Sequence, residues 1–198
     1  MYSYTLTNIL LSTRTLLAEA TASFWTDAIL TAYINEGIRT IAQRSGSYRT
    51  ITTANTATNV RTVAFTGYKC ISVEYNNEAL IKITPLQLGH AKKDGVYPQF
   101  WFEFGNYIGI EPVPPDIYTL TLYLASIPPA LSDGGDIPVI PYSLCGLITY
   151  YAVARALEQD KKIAPAIMYM SMFYGELNYM SKRLLTDLPD GVQDLRFE

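Results

Sequence analysis

His90 is the only histidine in the chain, so any Ser/His/Asp or Cys/His catalytic arrangement would have to use it. It stands beside Lys92 and Lys93 near the end of a predicted short helix, without a GxSxG elbow or a reactive-cysteine context. Cys70 and Cys145 are the only cysteines. They lie far apart without CxxC spacing, and they read as two buried free thiols before they read as a disulfide. The closely spaced His and Cys ligands of a zinc site are missing. Asp133, Gly134, Gly135 and Asp136 resemble a calcium loop only loosely, because the rest of the ligand pattern is absent; a flexible turn is the plainer reading. Neither a P-loop nor a dinucleotide fingerprint occurs. The pair hardest to dismiss is Glu103 with Glu111, since glycoside hydrolysis uses two carboxylates at a set separation. They flank Gly105-Asn106 and could meet across a hairpin there. Two carboxylates on a solvated hairpin face is the simpler account. The expectation is no catalytic, cofactor or metal residues, and a protein that is not an enzyme.

A chain of 198 residues suits one domain, or one compact domain carrying an insertion. Apolar residues make up 49% and charged residues 17%, which supplies a core and argues against disorder. The 16 tyrosines suit protein–protein contact surfaces, or equally a tyrosine-rich core and sheet surface. The net charge is −3 and no basic stripe or cluster is present. Tight, general DNA binding is therefore not expected; weak, non-specific contact in a channel is the most the charge allows. No basic n-region precedes the apolar residues at the start, so no signal peptide is expected. The most apolar stretch, 137–157, is broken by Pro138 and Pro141 and carries Arg155. It reads as a buried helix with its lead-in, not a membrane span, and a soluble protein without a membrane partner is expected.

The elements that would position these residues fall into three regions. In 5–45, Leu6, Ile9, Leu10, Leu16 and Leu17 suggest a first helix. A small-residue turn, 20–23, follows, and Thr26 or Ser23 can cap a second helix. Ile29, Leu30, Tyr33, Ile34, Gly37, Ile38 and Ile41 form one apolar face at the helical period, and Gly46 is placed to end it. In 48–126, β-branched and aromatic residues give short strands at 48–53, 60–65, 69–75 and 79–83, with a turn at Asn76-Asn77. Thr84-Pro85 opens a short helix to about Ala91. A hairpin, 99–104 with 107–111, turns on Gly105-Asn106. Pro112, Pro114 and Pro115 end it, and 117–125 is the last strand, with Leu120, Leu122 and Leu124 on one side. After a loop, a helix spans 142–159. Another opens at Pro165 and runs Ala166, Tyr169, Met170, Phe173, Leu177, Met180, Leu184 along one face. The expected fold is α+β: an antiparallel bundle of four long helices with a small inserted antiparallel β-sandwich or barrel. The expected division is 1–47, a helical part; 48–126, the β insertion; 127–185, a helix pair completing the bundle; and 186–198, an extended tail. In that tail Leu188, Val192, Leu195 and Phe197 suit docking on a partner, or equally a return onto the chain's own domain.

The stretch Phe24-Trp25-Thr26-Asp27, then Ile29-Leu30, Tyr33-Ile34-Asn35-Glu36 and Ile41-Ala42-Gln43-Arg44 resembles the opening of the head–tail adaptor (connector, head completion) proteins of tailed bacteriophages. The motif is similar over about 25 residues. Elsewhere the resemblance is architectural: element order, the exit Ile108-Gly109-Ile110-Glu111-Pro112-Val113-Pro114, and the final helix pair. It implies a structural virion protein, made in the host cytoplasm and placed at the head–tail junction. There it would form a ring, commonly of twelve copies, under the portal protein, with a DNA passage channel and neck or tail proteins attached below. Asn35 and Glu36 would then serve a structural network with neighbouring backbone, Arg39 or Arg44; a plain solvated edge is the alternative. Competing readings are another neck or tail component, a cell-wall hydrolase using Glu103 or Glu111, and a carbohydrate-binding module using Trp25, Trp101 and exposed tyrosines.

Overall fold

The structure, a computed structural model, describes residues 4–19, 24–89 and 96–186. The chain divides into two compact units, residues 1–47 with 128–198, and residues 48–127.

The helical unit is built from α1 (Leu6–Leu16), α2 (Asp27–Ser45), α3 (Tyr142–Gln159) and α4 (Ile163–Thr186). Thr5 caps α1, its side chain accepting from the Asn8 amide at 3.3 Å. Two more first-turn amides, those of Leu6 and Thr7, donate to the carbonyls of Asp136 and Gly134, so the 133–136 turn satisfies donors that a helix start leaves open. Thr26 caps α2 in the same way, and Asp27 in its first turn meets the positive end of the helix dipole. Gly46 ends α2 in the left-handed conformation, φ 59°. Lys161 turns the chain with φ 58°, and α4 starts at Ile163, two residues before Pro165. A proline fits there because first-turn amides need no partner within the helix.

α3 lies at the centre. Its buried residues include Leu144, Leu147, Ile148, Tyr151, Ala152, Val153 and Ala156, a spread wider than a single face. α1, α2 and α4 pack around it. Leu6, Ile9, Ile34, Ile38, Ile41, Phe173 and Leu177 close the core.

Among the described residues the β unit has eight strands: β1 (Arg49–Asn55), β2 (Thr62–Ala64), β3 (Lys69–Tyr75), β4 (Glu78–Ala79), β5 (Ile81–Lys82), β6 (Phe100–Phe104), β7 (Tyr107–Glu111) and β8 (Thr119–Ala125), with a 3-10 turn at Pro85–Gly89. They form two four-stranded sheets, ordered β1-β8-β3-β4 and β2-β7-β6-β5. Asn76 and Asn77 both take positive φ, 54° and 64°, as the turn between β3 and β4 requires. Val73, Leu120, Leu122 and Leu124 from one sheet meet Trp101, Ile108 and Ile110 from the other in a shared core.

The expected bundle of four long helices with an inserted antiparallel sandwich or barrel does not form. α1 is 11 residues long, against 19, 18 and 24 for the others. It packs on α3 and α2, and contact with α4 is marginal at most. The strands make two separate sheets, and one is mixed, because β5 runs parallel to β6. The cause is Leu80. Its amide donates to Val73 in the first sheet, while the amides of Ile81 and Ile83 donate to Gln99 and Trp101 in the second. A segment that reads as one strand thus changes sheets in its middle.

Candidate functional site

Polar contacts gather along α2, on the residues of the 24–44 motif. Trp25 is buried, with Phe24 edge-on against it, ring centroids 4.7 Å apart. Arg14, projecting from α1, is 6% exposed. Its Nη2 donates to the Trp25 carbonyl at 2.7 Å and to Asp27 Oδ1 at 2.5 Å. Glu19 accepts from the amides of Phe24 and Trp25. The Trp-Thr-Asp triplet therefore has three jobs. It inserts an apolar anchor, caps a helix, and neutralises a buried guanidinium that would otherwise be costly.

Two turns later, Asn35 and Glu36 act in different directions. The Asn35 side chain donates to the Leu131 carbonyl at 2.9 Å and accepts the Leu131 amide at 2.8 Å. One side-chain amide thus imitates a backbone pair and fastens the 128–141 connection to α2. Glu36 accepts from the Tyr151 hydroxyl at 2.9 Å and pairs with Arg155 Nε at 3.4 Å, both on α3. Arg155 also pairs with Glu158. Burial pushes the Tyr151 phenol up to about 12; the Thr40 bond opposes that and the Glu36 bond adds to it. Between these contacts Gly37 lets the helices close up. A Cβ there would meet the Tyr151 ring at 3.1 Å.

Of the four network residues, Asn35 binds backbone and Glu36 binds α3. Arg44 lies over the Tyr174 ring, 4.5 Å from its centroid, and Arg39 is exposed. Among the described residues, Glu36 meets neither arginine. Arg14, Tyr151 and Arg155 are the members that sequence reasoning missed. A lone cation in an otherwise uncharged helix was the available signal for Arg14. His90, Lys92, Lys93, Leu188, Val192, Leu195 and Phe197 lie outside the described residues.

The candidate carboxylate pair does not assemble. In the β6–β7 register Glu103 stands opposite Ile108 and Glu111 opposite Phe100, which puts the two side chains on opposite faces of the hairpin. Glu103 accepts from the Cys70 amide at 3.1 Å and pairs with Lys82 at 3.7 Å. Glu111 is buried and pairs with Arg61 at 3.0 Å. Asp136 is occupied by its own turn: the amides of Ser132 and Asp133 donate to it at 2.7 and 2.8 Å and hold its carboxyl below its ordinary value. Cys70 and Cys145 are free and buried. No group of three or more His, Cys, Asp or Glu among the described residues is placed to hold a metal, and no described helix is long and apolar enough to cross a membrane.

The arrangement ties helices and a connecting loop together, and the candidate pair Glu103 and Glu111 stays apart. The sequence family described as SU10 adaptor protein matches residues 4–193. No curated protein matches the chain.

Proposed function

The chain belongs to the SU10 adaptor protein family, a family of structural phage adaptors, and we propose that it is the ring subunit that binds below the portal and joins head to tail. The observation that carries this reading is the family match over residues 4–193. The ring holds about twelve copies, as is common for such connectors, surrounds a DNA passage channel, and takes neck or tail proteins on its far side. A net charge of −3 suits a channel wall on which DNA slides, since phosphate neutralisation is weak there. The role is structural and not catalytic. The α2 network serves it by stiffening the helical unit. The tail residues Leu188, Val192, Leu195 and Phe197 dock on the portal or on a neighbouring subunit.

The test is the mass of the full-length protein alone and mixed with its cognate portal, by light scattering with negative-stain imaging. A portal-dependent ring is expected. A folded protein that shows no association with portal overturns the assignment.

A further inference from the structure

Four acids of the β unit are committed. Glu74 accepts from the Tyr123 hydroxyl, Glu103 pairs with Lys82, Glu111 pairs with Arg61, and Asp116 accepts the Ile117 amide. Glu78 differs: its exposed carboxylate has no hydrogen bond or ion pair among the described residues. It stands opposite Tyr75 in the β3–β4 register, so both side chains lie on one face of the sheet. Tyr75 belongs to a cluster of three rings. Tyr97 stacks on it with centroids 6.0 Å apart, and Tyr118 meets it edge-on at 5.3 Å. Tyr97 and Tyr118 are 5.8 Å apart. Tyr97 is 59% exposed, so much of its ring is open to a ligand. Loss of water raises the Tyr118 phenol above its ordinary value, and the Tyr75 and Tyr97 phenols and the Asp116 carboxylate raise it further. Three hydroxyls and a second carboxylate therefore converge beside Glu78.

A recess of about 310 Å³ opens at this corner, lined with Tyr75, Glu78, Ala79, Pro98, Gln99 and Phe100. It lies where Leu80 takes the chain from one sheet to the other. The Leu80 amide donates to the Val73 carbonyl at 2.8 Å. The next pair in register, Glu74 with Ala79, is therefore a non-hydrogen-bonded one. Ala79 turns its N–H and C=O away from β3, at the edge of the sheet, where neither meets a partner among the described residues. No lysine or arginine among the described residues lines the recess.

We propose that this corner of the β unit docks an arginine side chain presented by a loop of another protein. Glu78 takes the guanidinium, the tyrosine cluster offers it a ring face, and Ala79 bonds the backbone of the loop. The inference does not rest on the ring reading. Charge and shape select the occupant. An unpaired carboxylate with Asp116 nearby attracts a cation and repels the phosphates of a nucleic acid. A guanidinium is planar, so it forks onto a carboxylate and lies flat on an aromatic ring, and it fits both surfaces better than an ammonium does. Ala79 supplies one donor and one acceptor, which a peptide unit matches. A single open residue is too short to add a strand, so the side chain and not a ladder carries the contact. Tyrosine and arginine are also the residue types that anchor protein interfaces.

The test is a titration of the full-length, nitrogen-15-labelled protein with the capped tripeptide Gly-Arg-Gly, followed by the amide signals of Ala79 and Tyr97. The same tripeptide with glutamine in place of arginine, and methyl glucoside, serve as the comparison probes. The arginine peptide is expected to move both signals saturably and to bind roughly tenfold more tightly than the glutamine peptide. Glu78→Gln is expected to weaken it roughly fivefold and Tyr97→Leu roughly threefold. Both sites are exposed, so unchanged melting temperatures identify folded variants, and the comparison of peptides on wild type needs no variant. Equal binding of the two peptides, or a Glu78→Gln protein that binds arginine as wild type does, overturns the proposal. So does movement of the Ala79 signal by methyl glucoside and not by the arginine peptide, which would make the recess a sugar site. None of these outcomes depends on portal, so the ring reading stands or falls separately.

Discussion

Arg14 on α1 and Asp27 at the start of α2 pair at 2.5 Å, one side chain 8% exposed and the other 68%. The asymmetry decides what each removal does. Without Asp27 the guanidinium stays buried with one charge-assisted bond fewer. Without Arg14 the carboxylate is simply hydrated, and the Trp25 carbonyl loses one donor while keeping no charge to bury. Asp27→Ala is expected to cost about 1–3 kcal/mol, and Arg14→Met less, because an apolar chain of similar length refills the site. Thermal unfolding followed by circular dichroism gives the order; an Arg14→Met variant less stable than Asp27→Ala contradicts it.

Asn35 uses both ends of its amide on the backbone of Leu131. Asn35→Ala removes both bonds and leaves partly buried groups short of partners, for about 1–3 kcal/mol. Asn35→Asp keeps the acceptor but sets an anion against the Leu131 carbonyl, so it is expected to be at least as damaging despite its shape. Chemical denaturation of the two variants separates them. If Asn35→Asp is near wild type, the donor half of the pair contributes little.

α2 was legible because cap, apolar stripe and terminating glycine agree with one another, and Thr26, Ile34, Ile38 and Gly46 sit where that pattern put them. The alternation of Leu120, Leu122 and Leu124 announced the buried face of β8. Leu80 carried no such sign. Its change of sheet depends on hydrogen bonds to Val73, Gln99 and Trp101, distant partners that local periodicity does not report. The motif disclosed Asn35 and Glu36 but not their partners, for the same reason: Leu131, Tyr151 and Arg155 lie 96, 115 and 119 residues further along the chain. Parity alone was enough to separate Glu103 from Glu111 once the strand register was known.

Gly109 on β7 faces Phe102 on β6, its registered partner. A Cβ there would fall inside the Phe102 ring, so the ring covers the backbone of the neighbouring strand. Gly109→Ala forces that ring out of place and is expected to cost about 1–3 kcal/mol by overpacking. Combining it with Phe102→Leu opens space, so the double variant should lose less than the sum of the two single changes. Strict additivity in denaturant melts would show that the ring moves away without cost.

Truncation after Leu185 removes Leu188, Val192, Leu195 and Phe197. If those side chains dock on another chain, the isolated truncated protein melts as the full chain does, and its retention on portal falls. A lowered melting temperature in the isolated protein would instead mean that the segment packs on its own domain. The two readouts come from one preparation, by calorimetry and by portal pull-down.

Burial pushes the thiol of Cys70 up to about 12 from 9.0 and that of Cys145 up to about 11, and the Tyr151 phenol up to about 12 from 10.0. All three groups are neutral when protonated. The unfolded chain therefore releases these protons at lower pH than the folded one does. Their contribution to stability is complete below the unfolded values and is lost as pH rises through the folded ones. The melting temperature is expected to fall from about pH 9 to about pH 12, and the native thiols to resist alkylation near pH 8. Replacing both cysteines with alanine removes two of the three groups, so the double variant, whatever its starting stability, should lose less between about pH 9 and 11. Parallel curves for variant and wild type over that range would show that the alkaline loss has another origin.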